Sequence, residues 1–175
     1  MIRLARTADL DDERRGRVID VCVAAHAEPE FARLFGHLPP DGLHVLADLD
    51  ERLVGHAVVT TRWLQPKGRA LLRTAYVDAV SVVPAHQRRG IGSAVMRHLA
   101  AALGEWEIAC LETELVPFYE HLGWEEWRGP LAGRSDRGLI PTPDQRGVMI
   151  LRLPNTPGLD LDALLTIEAQ ATRIW

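Results

Sequence analysis

The sequence predicts an α+β fold, a curved, mixed but mostly antiparallel sheet flanked by helices in a single domain, and three observations carry that expectation. Residues 43–49, 53–64 and 70–83 are rich in β-branched and other apolar residues, and only Asp50-Glu51-Arg52 and Pro66-Lys67-Gly68 join them, the spacing of an antiparallel meander. Ile91, Val95, Leu99 and Leu103 then recur every four residues, so residues 91–103 read as a helix lying on the sheet. After that crossover come a short strand over 107–113, a short helix over 117–122 ended by Gly123, and a strand over 124–127.

The remaining elements follow by the same rules. Residues 2–6 read as a strand and 7–26 as a helix whose Leu10, Val18, Val21, Cys22 and Ala25 fall at helical spacings. Residues 28–36 form a second short helix closed by the turn Pro39-Pro40-Asp41-Gly42. Residues 129–147, GPLAGRSDRGLIPTPDQRG, are too rich in Gly, Pro and charge for regular structure and read as a long surface loop. Residues 148–153 give a last strand, and 154–175 a tail whose form the pattern does not fix.

At 175 residues the chain suits one domain that buries roughly 70% of its unfolded surface. Cys22 and Cys110 lie far apart in apolar contexts, which points to reduced core thiols and a cytoplasmic setting. No apolar run reaches signal-peptide length or the roughly 18 residues of a membrane span, so no membrane partner is expected. A net charge of -4 argues against a nucleic-acid binder and suits a cationic partner. The histidines show neither HxxxH nor HExxH spacing, so no metal is expected.

The stretch Gln87-Arg88-Arg89-Gly90-Ile91-Gly92-Ser93 is the most informative part of the chain. A glycine in a helix costs about 1 kcal/mol relative to alanine. Glycines here expose the unpaired N–H groups and positive dipole end of a helix start, where a phosphate gains several hydrogen bonds at once. Ser93 adds a hydroxyl, and Arg88 and Arg89 attract negative charge to the rim. The P-loop pattern is absent, and the third glycine of a dinucleotide fingerprint is missing.

Gln87-x-x-Gly90-x-Gly92 after a strand resembles the pyrophosphate-binding turn of the GCN5-related N-acetyltransferase (GNAT) superfamily, and Phe118-Tyr119-Glu120-His121-Leu122-Gly123-Trp124 resembles its second signature. Within it, Tyr76-Val77-Asp78-Ala79-Val80-Ser81-Val82, Gly123-Trp124-x-x-Trp127-x-Gly129-Pro130, Pro141-Thr142-Pro143-Asp144 and a terminal tryptophan look like the aminoglycoside 2'-N-acetyltransferases. The resemblance implies a GNAT fold, acetyl-CoA as cosubstrate and transfer of its acetyl group to a drug amine. It also implies that residues 154–175 complete the substrate site, and it leaves a homodimer open.

On this reading acetyl-CoA meets Val80 and Val82 through their backbone and the turn through Gln87, Arg88, Arg89, Gly90, Ile91, Gly92 and Ser93. Tyr119 protonates the departing thiolate. A phenol near pKa ~10 and a thiol near ~8.5 are close enough for transfer. Asp78, where related enzymes usually carry glutamate, assists the amine directly or through water. The polycationic drug is held by Glu28, Glu30, Asp78, Asp144, Glu168 and the carboxylate of Trp175. Related enzymes carry more acids after Thr-Pro-Asp and near the end, where this chain has Gln145-Arg146 and Arg173. Cys110, in an apolar strand without an adjacent histidine, is expected to be an inert thiol. The alternatives are an acetyltransferase of another small amine or a protein amino terminus, and an acyl-CoA binding module without turnover.

Overall fold

In the computed structural model of the chain, which describes residues 1–171 and 173–175, the first long helix α1 runs Asp12–His26. The expected start at Thr7 is corrected: Thr7–Asp9 is a 3-10 turn, and Asp11 caps α1 by accepting the Arg14 N–H at 2.8 Å. Leu10, expected on the helix face, is buried just ahead of it.

The chain divides into two compact units, Met1–Thr60 with Val77–Ala102 and Thr61–Tyr76 with Leu103–Trp175. In the first unit β1 (Ile2–Arg6) pairs antiparallel with β2 (Leu43–Leu49), and β2 with the first part of β3 (Arg52–Pro66). Asp50 and Glu51, at φ 47° and 63°, make the two-residue turn that pairs Leu49 with Arg52. Pro29–Gly36 is a 3-10 helix. Its Phe31, Leu34 and Phe35 pack on a core of Leu10, Val18, Cys22, Leu46, Val58 and Ala79. Helix α2 (Ile91–Ala101) buries Val95, Met96 and Leu99. Gly55 on β3 lets α2 come close, since a Cβ there would stand 3.0 Å from Ile91 Cγ2. Burying a leucine such as Leu99 contributes about 2 kcal/mol.

The second unit holds the rest of the sheet: β5 (Ile108–Glu112), β6 (Glu125–Glu126), β7 (Leu131–Ser135), β8 (Gly138–Pro141), β9 (Val148–Arg152) and β10 (Leu165–Glu168), with the short helix α3 (Val116–Glu120). With β3 and β4 (Leu72–Val82) the strand order is β6-β9-β5-β4-β3-β10-β7-β8. Strands β4 and β5 pair in parallel from Thr74↔Ile108 to Tyr76↔Cys110, and β4 continues beyond the last pair.

One expectation is corrected here, and one form that the sequence pattern leaves open is filled in. Residues 129–147 are not one surface loop: β7 and β8 form a hairpin over Asp136-Arg137, and Leu131 and Ala132 are buried. Nor do residues 154–175 merely trail the domain, because β10 pairs antiparallel with β3 and parallel with β7. Strands β7 and β10 owe their form to partners distant in sequence, which local composition does not report. Leu165, Ile167 and Trp175 join Tyr76, Cys110, Trp127 and Ile150 in one core.

The first unit also buries two imidazoles. His44 and His56, both at 0% exposure, stand diagonally across the β2–β3 pair. Burial lowers His44 to about 4, with Arg15 adding to the shift, and His56 to about 3, with His44 adding. Both folded values lie below the unfolded value near ~6.5, so the unfolded chain binds more protons in between. Stability is therefore full above about pH 6.5 and falls as pH drops through the window towards the folded values, by at most about 1.4 kcal/mol per pH unit for each histidine. Urea midpoints taken from about pH 7.5 down to about pH 4.5 should show this fall, and a flat profile would contradict neutral burial.

Candidate active site

In the first unit the site is built on β4 and the turn after it. Ala79 lies at φ 49°, a left-handed residue inside a strand. Its carbonyl accepts from His56 Nδ1 at 3.0 Å and from Ser81 Oγ at 3.1 Å. Asp78 is half-buried, and its Oδ1 accepts the Ala79 N–H at 3.2 Å. Val80 and Val82 are half-buried, while Ala79 and Ser81 are buried. The Val83 N–H donates to Val54 O at 2.9 Å, which fixes the end of β4.

Beyond the 3-10 turn Pro84–His86, the segment from Gln87 to Gly90 is exposed, and Ile91, Gly92 and Ser93 are half-buried. Gln87 Nε2 donates to Val82 O at 3.1 Å, folding the turn back on β4. Arg88 and Gly90 take φ 56° and 81°, and Gly90 is the N-cap of α2. A Cβ at Gly90 would meet no protein atom within 4 Å, and the positive φ gives glycine a conformational reason there. The first turn of α2 offers N–H groups with no intrahelical acceptor, flanked by Arg88 and Arg89, an arrangement that suits an anion. Glu28 and Glu30 lie exposed just beyond α1, where His26 stacks on Phe31 at 4.7 Å.

In the second unit Tyr119 sits on α3 at 5% exposure, edge-on to Phe118 and Trp124 at 4.9 and 5.9 Å. Burial pushes its phenol up to about 12, so it stays protonated at neutral pH. The same cause pushes the Cys110 thiol up to about 12, which fits the expectation of an inert group.

A cavity of about 690 Å³ in this unit is lined by Glu112 at the end of β5, Glu114 beyond it, Glu126 of β6 and Asp144 of the proline loop. Strand β9 sets two of these, pairing Val148 with Glu112 and Met149 with Glu126. Other carboxylates of the unit are engaged: Glu125 with Arg152, Glu105 with Arg73, Asp162 with Arg128. Among the described residues, the four cavity acids enter no ion pair.

The loop beside the cavity is tied on both sides. The Thr113 N–H donates to Gly147 O at 2.9 Å, and Trp175 Nε1 donates to Thr142 Oγ1 at 3.0 Å. Arg146 also lines the cavity, but its Nη1 donates to Pro143 O and Gln145 O at 2.6 and 2.7 Å. Arg173 lies over the Tyr76 ring at 5.2 Å. Glu168 serves the fold: its Oε1 accepts from buried Arg62 at 3.1 Å and its Oε2 from the Trp63 N–H at 2.8 Å.

Of the residues expected at the site, the first unit joins Asp78, Val80 and Val82 to the glycine turn. The second unit places Asp144 in the cavity and Trp175 against its loop. Glu112, Glu114 and Glu126 were missed. Their signal is an acid at every second position where a buried strand ends, and an acidic pair between Trp124 and Trp127.

The chain matches the acetyltransferase (GNAT) family over residues 7–124 and belongs to it. It is 29% identical over 179 residues to an aminoglycoside 2'-N-acetyltransferase of Mycolicibacterium fortuitum, a match covering 99% of this chain and 91% of that one. Among solved structures, a GNAT family acetyltransferase from Brucella melitensis in complex with acetyl-CoA matches at TM-score 0.60 and 18% identity, over 98% of this chain and 97% of that one. Eis1 from Mycobacterium abscessus matches at TM-score 0.59 and 22% identity over 71% of this chain, which spans only 31% of that longer protein.

Gly147 supplies a test of the loop anchor. It lies at φ 66°, and a Cβ there would overlap the Thr113 carbonyl oxygen. Gly147→Ala should cost at least about 2 kcal/mol in urea unfolding, whereas Gly104→Ala, where a Cβ meets nothing within 4 Å, should stay within about 1 kcal/mol of the parent.

Proposed function

We propose that residues 1–175 act as one acetyl-CoA-dependent N-acetyltransferase domain whose acceptor is the 2'-amine of an aminoglycoside. The observation that carries the acceptor class is the cavity of about 690 Å³ whose four carboxylates enter no ion pair among the described residues. A polyamine supplies those cations, and the near full-length relative named for aminoglycoside 2'-N-acetylation supports the finer reading.

In this reading the α2 turn takes the coenzyme diphosphate, and the backbone at Val80 and Val82 takes the acyl and pantetheine groups. The amine must be neutral to attack. An aspartate near pKa ~3.9 is a weak base, so Asp78 steers the ammonium while water removes its proton. A C–N bond forms, the C–S bond breaks, and the proton that the nitrogen sheds as it becomes an amide ends on the leaving thiolate. A phenol at about 12 is a weaker acid than a thiol near ~8.5, so Tyr119 contributes first a hydrogen bond to the charge developing on sulfur. Glu28 and Glu30 add acceptor contacts, as does the Trp175 carboxylate. Glu168 acts through the tail instead of touching the drug.

Thiol release with purified protein tests the reading. Drugs with a 2'-amine should turn over and their 2'-hydroxyl counterparts should not, and release with neither would overturn it. Tyr119→Phe should lower kcat about 100-fold while leaving coenzyme affinity unchanged. Glu112→Gln and Glu126→Gln should each raise the drug KM roughly two- to fivefold, the worth of an exposed ion pair, without altering the KM for acetyl-CoA.

A further inference from the structure

The network behind the Ala79 carbonyl is buried, directional and unused by the chemistry above. A carbonyl only accepts, so His56 Nδ1, 3.0 Å from Ala79 O, must carry the hydrogen. In the neutral ring Nε2 is then an acceptor, and it takes the hydrogen of His44 Nδ1 at 2.9 Å. His44 Nε2 in turn accepts from the Thr7 hydroxyl at 3.0 Å, the nearer of that hydroxyl's two acceptors, with Gly42 O at 3.3 Å. Thr7, His44 and His56 thus form one chain of donors that ends on a strand carbonyl. Ser81 Oγ, which donates to the same carbonyl at 3.1 Å, accepts from His26 Nε2 at 3.0 Å. Both lone pairs of the Ala79 oxygen are therefore engaged, one from the core and one from the rim.

Two imidazoles at 0% exposure are an expensive way to fill space, since apolar side chains fill a core without any desolvated polar atom. What they hold is also unusual. Ala79 is a non-glycine residue at φ 49°, in a backbone region that persists only when its surroundings fix it. The residue that follows is Val80, whose N–H direction is set by the peptide plane carrying the Ala79 carbonyl.

We infer that His56, oriented by His44 and Thr7, is a positioning residue of the acetyl-transfer centre, holding the left-handed kink at Ala79 so that the Val80 N–H faces the thioester carbonyl. The inference rests on the role proposed above for the β4 backbone. It assigns His56 no contact with substrate or coenzyme. Cys22, whose Sγ lies 3.5 Å from His56 Nδ1, packs beside the ring as a protonated thiol.

Paired substitutions at His56 test it. Asparagine places an amide N–H near the position of Nδ1, whereas leucine fills the space without a donor. In thiol-release assays with an amine that the parent accepts, His56→Leu should lower kcat at least tenfold with the dissociation constant for coenzyme A within threefold of the parent. His56→Asn should return kcat to within threefold. Backbone carbon shifts of Ala79, which separate left-handed from extended residues, should move towards extended in the leucine variant only. Imidazole nitrogen shifts of the parent should show His56 protonated on Nδ1. Should His56→Leu not fold, Ser81→Ala removes the second donor and should show the same kcat loss and Ala79 shift in smaller measure. Folded leucine and asparagine variants with equal turnover, or an unmoved Ala79 in every variant, would overturn the inference. A parent that acetylates no amine would instead sink the proposed function, and the Ala79 shifts would still decide whether the lock exists.

Discussion

Under the role proposed for β4, a backbone N–H offered to a ligand cannot be spent on a neighbouring strand. In β4 the break comes at Ala79, where the left-handed conformation interrupts the extended run, and conformations of this kind cost about 1–3 kcal/mol unless the surroundings fix them. The fixing groups come from three strands of the first unit: His56 from β3, Ser81 from β4 itself, and behind them His44 from β2. The β2–β3 register puts the two histidines diagonally adjacent, so a slip of one residue between the strands would put the rings on opposite faces and remove the His44 bond that orients His56. The hairpin turn Asp50-Glu51 and the register shift at Ala47/Asp48, which together set this register, therefore matter to a residue far along the chain.

A different constraint governs the second unit, where the tail must be held although it is the last part of the chain. Arg62 does this from inside, fully buried, with bonds to Glu168 Oε1, Glu168 O and Ile174 O, and with its guanidinium over the Tyr76 ring at 4.8 Å. A buried pair of this kind gains little net energy, because desolvation offsets most of the attraction. Its value lies in specificity: two of its three acceptors are backbone carbonyls, which an apolar replacement would leave unsatisfied. Gly133 adds a steric condition, since a Cβ there would stand 3.0 Å from Ile174. Trp175 is thereby delivered to Thr142, and the tail and the proline loop are fixed together.

Much of the fold and part of the site were legible in the sequence, and the difference between the two follows from the range of the interactions. The α2 stripe, the meander and the glycine turn are local: their pattern, period and breakers sit within a few residues of one another. Gly90 stands out in the sequence as a glycine at a helix start, and the structure adds a backbone reason for it, a φ of 81°. The hairpin β7–β8 and strand β10 are short and interrupted by glycine or charge, and β10 becomes a strand by pairing with β3, about a hundred residues away. His44 and His56 drew no notice because a histidine flanked by apolar residues shows neither its partner nor its tautomer in sequence. Glu112, Glu114 and Glu126 were hidden for a similar reason, since acids at strand ends are ordinary until a sheet gathers them around one space.

The basic residues near the cavity complete the electrostatic argument. Gln145-Arg146 and Arg173 stand where acids would favour a polycation, and cations facing such a ligand would repel it. In the structure both arginines are turned to internal use, Arg146 by two carbonyls of its own loop and Arg173 by the face of Tyr76. Carbonyl dipoles and a ring face soften a positive charge locally, and solvent screens the rest, as one expects at an exposed position. The four carboxylates have no such partners among the described residues, so the charge left for a ligand to meet is negative. A chain can thus keep a site fit for a cation while carrying arginines on its border, provided that each arginine has a carbonyl or a ring to hold it in place.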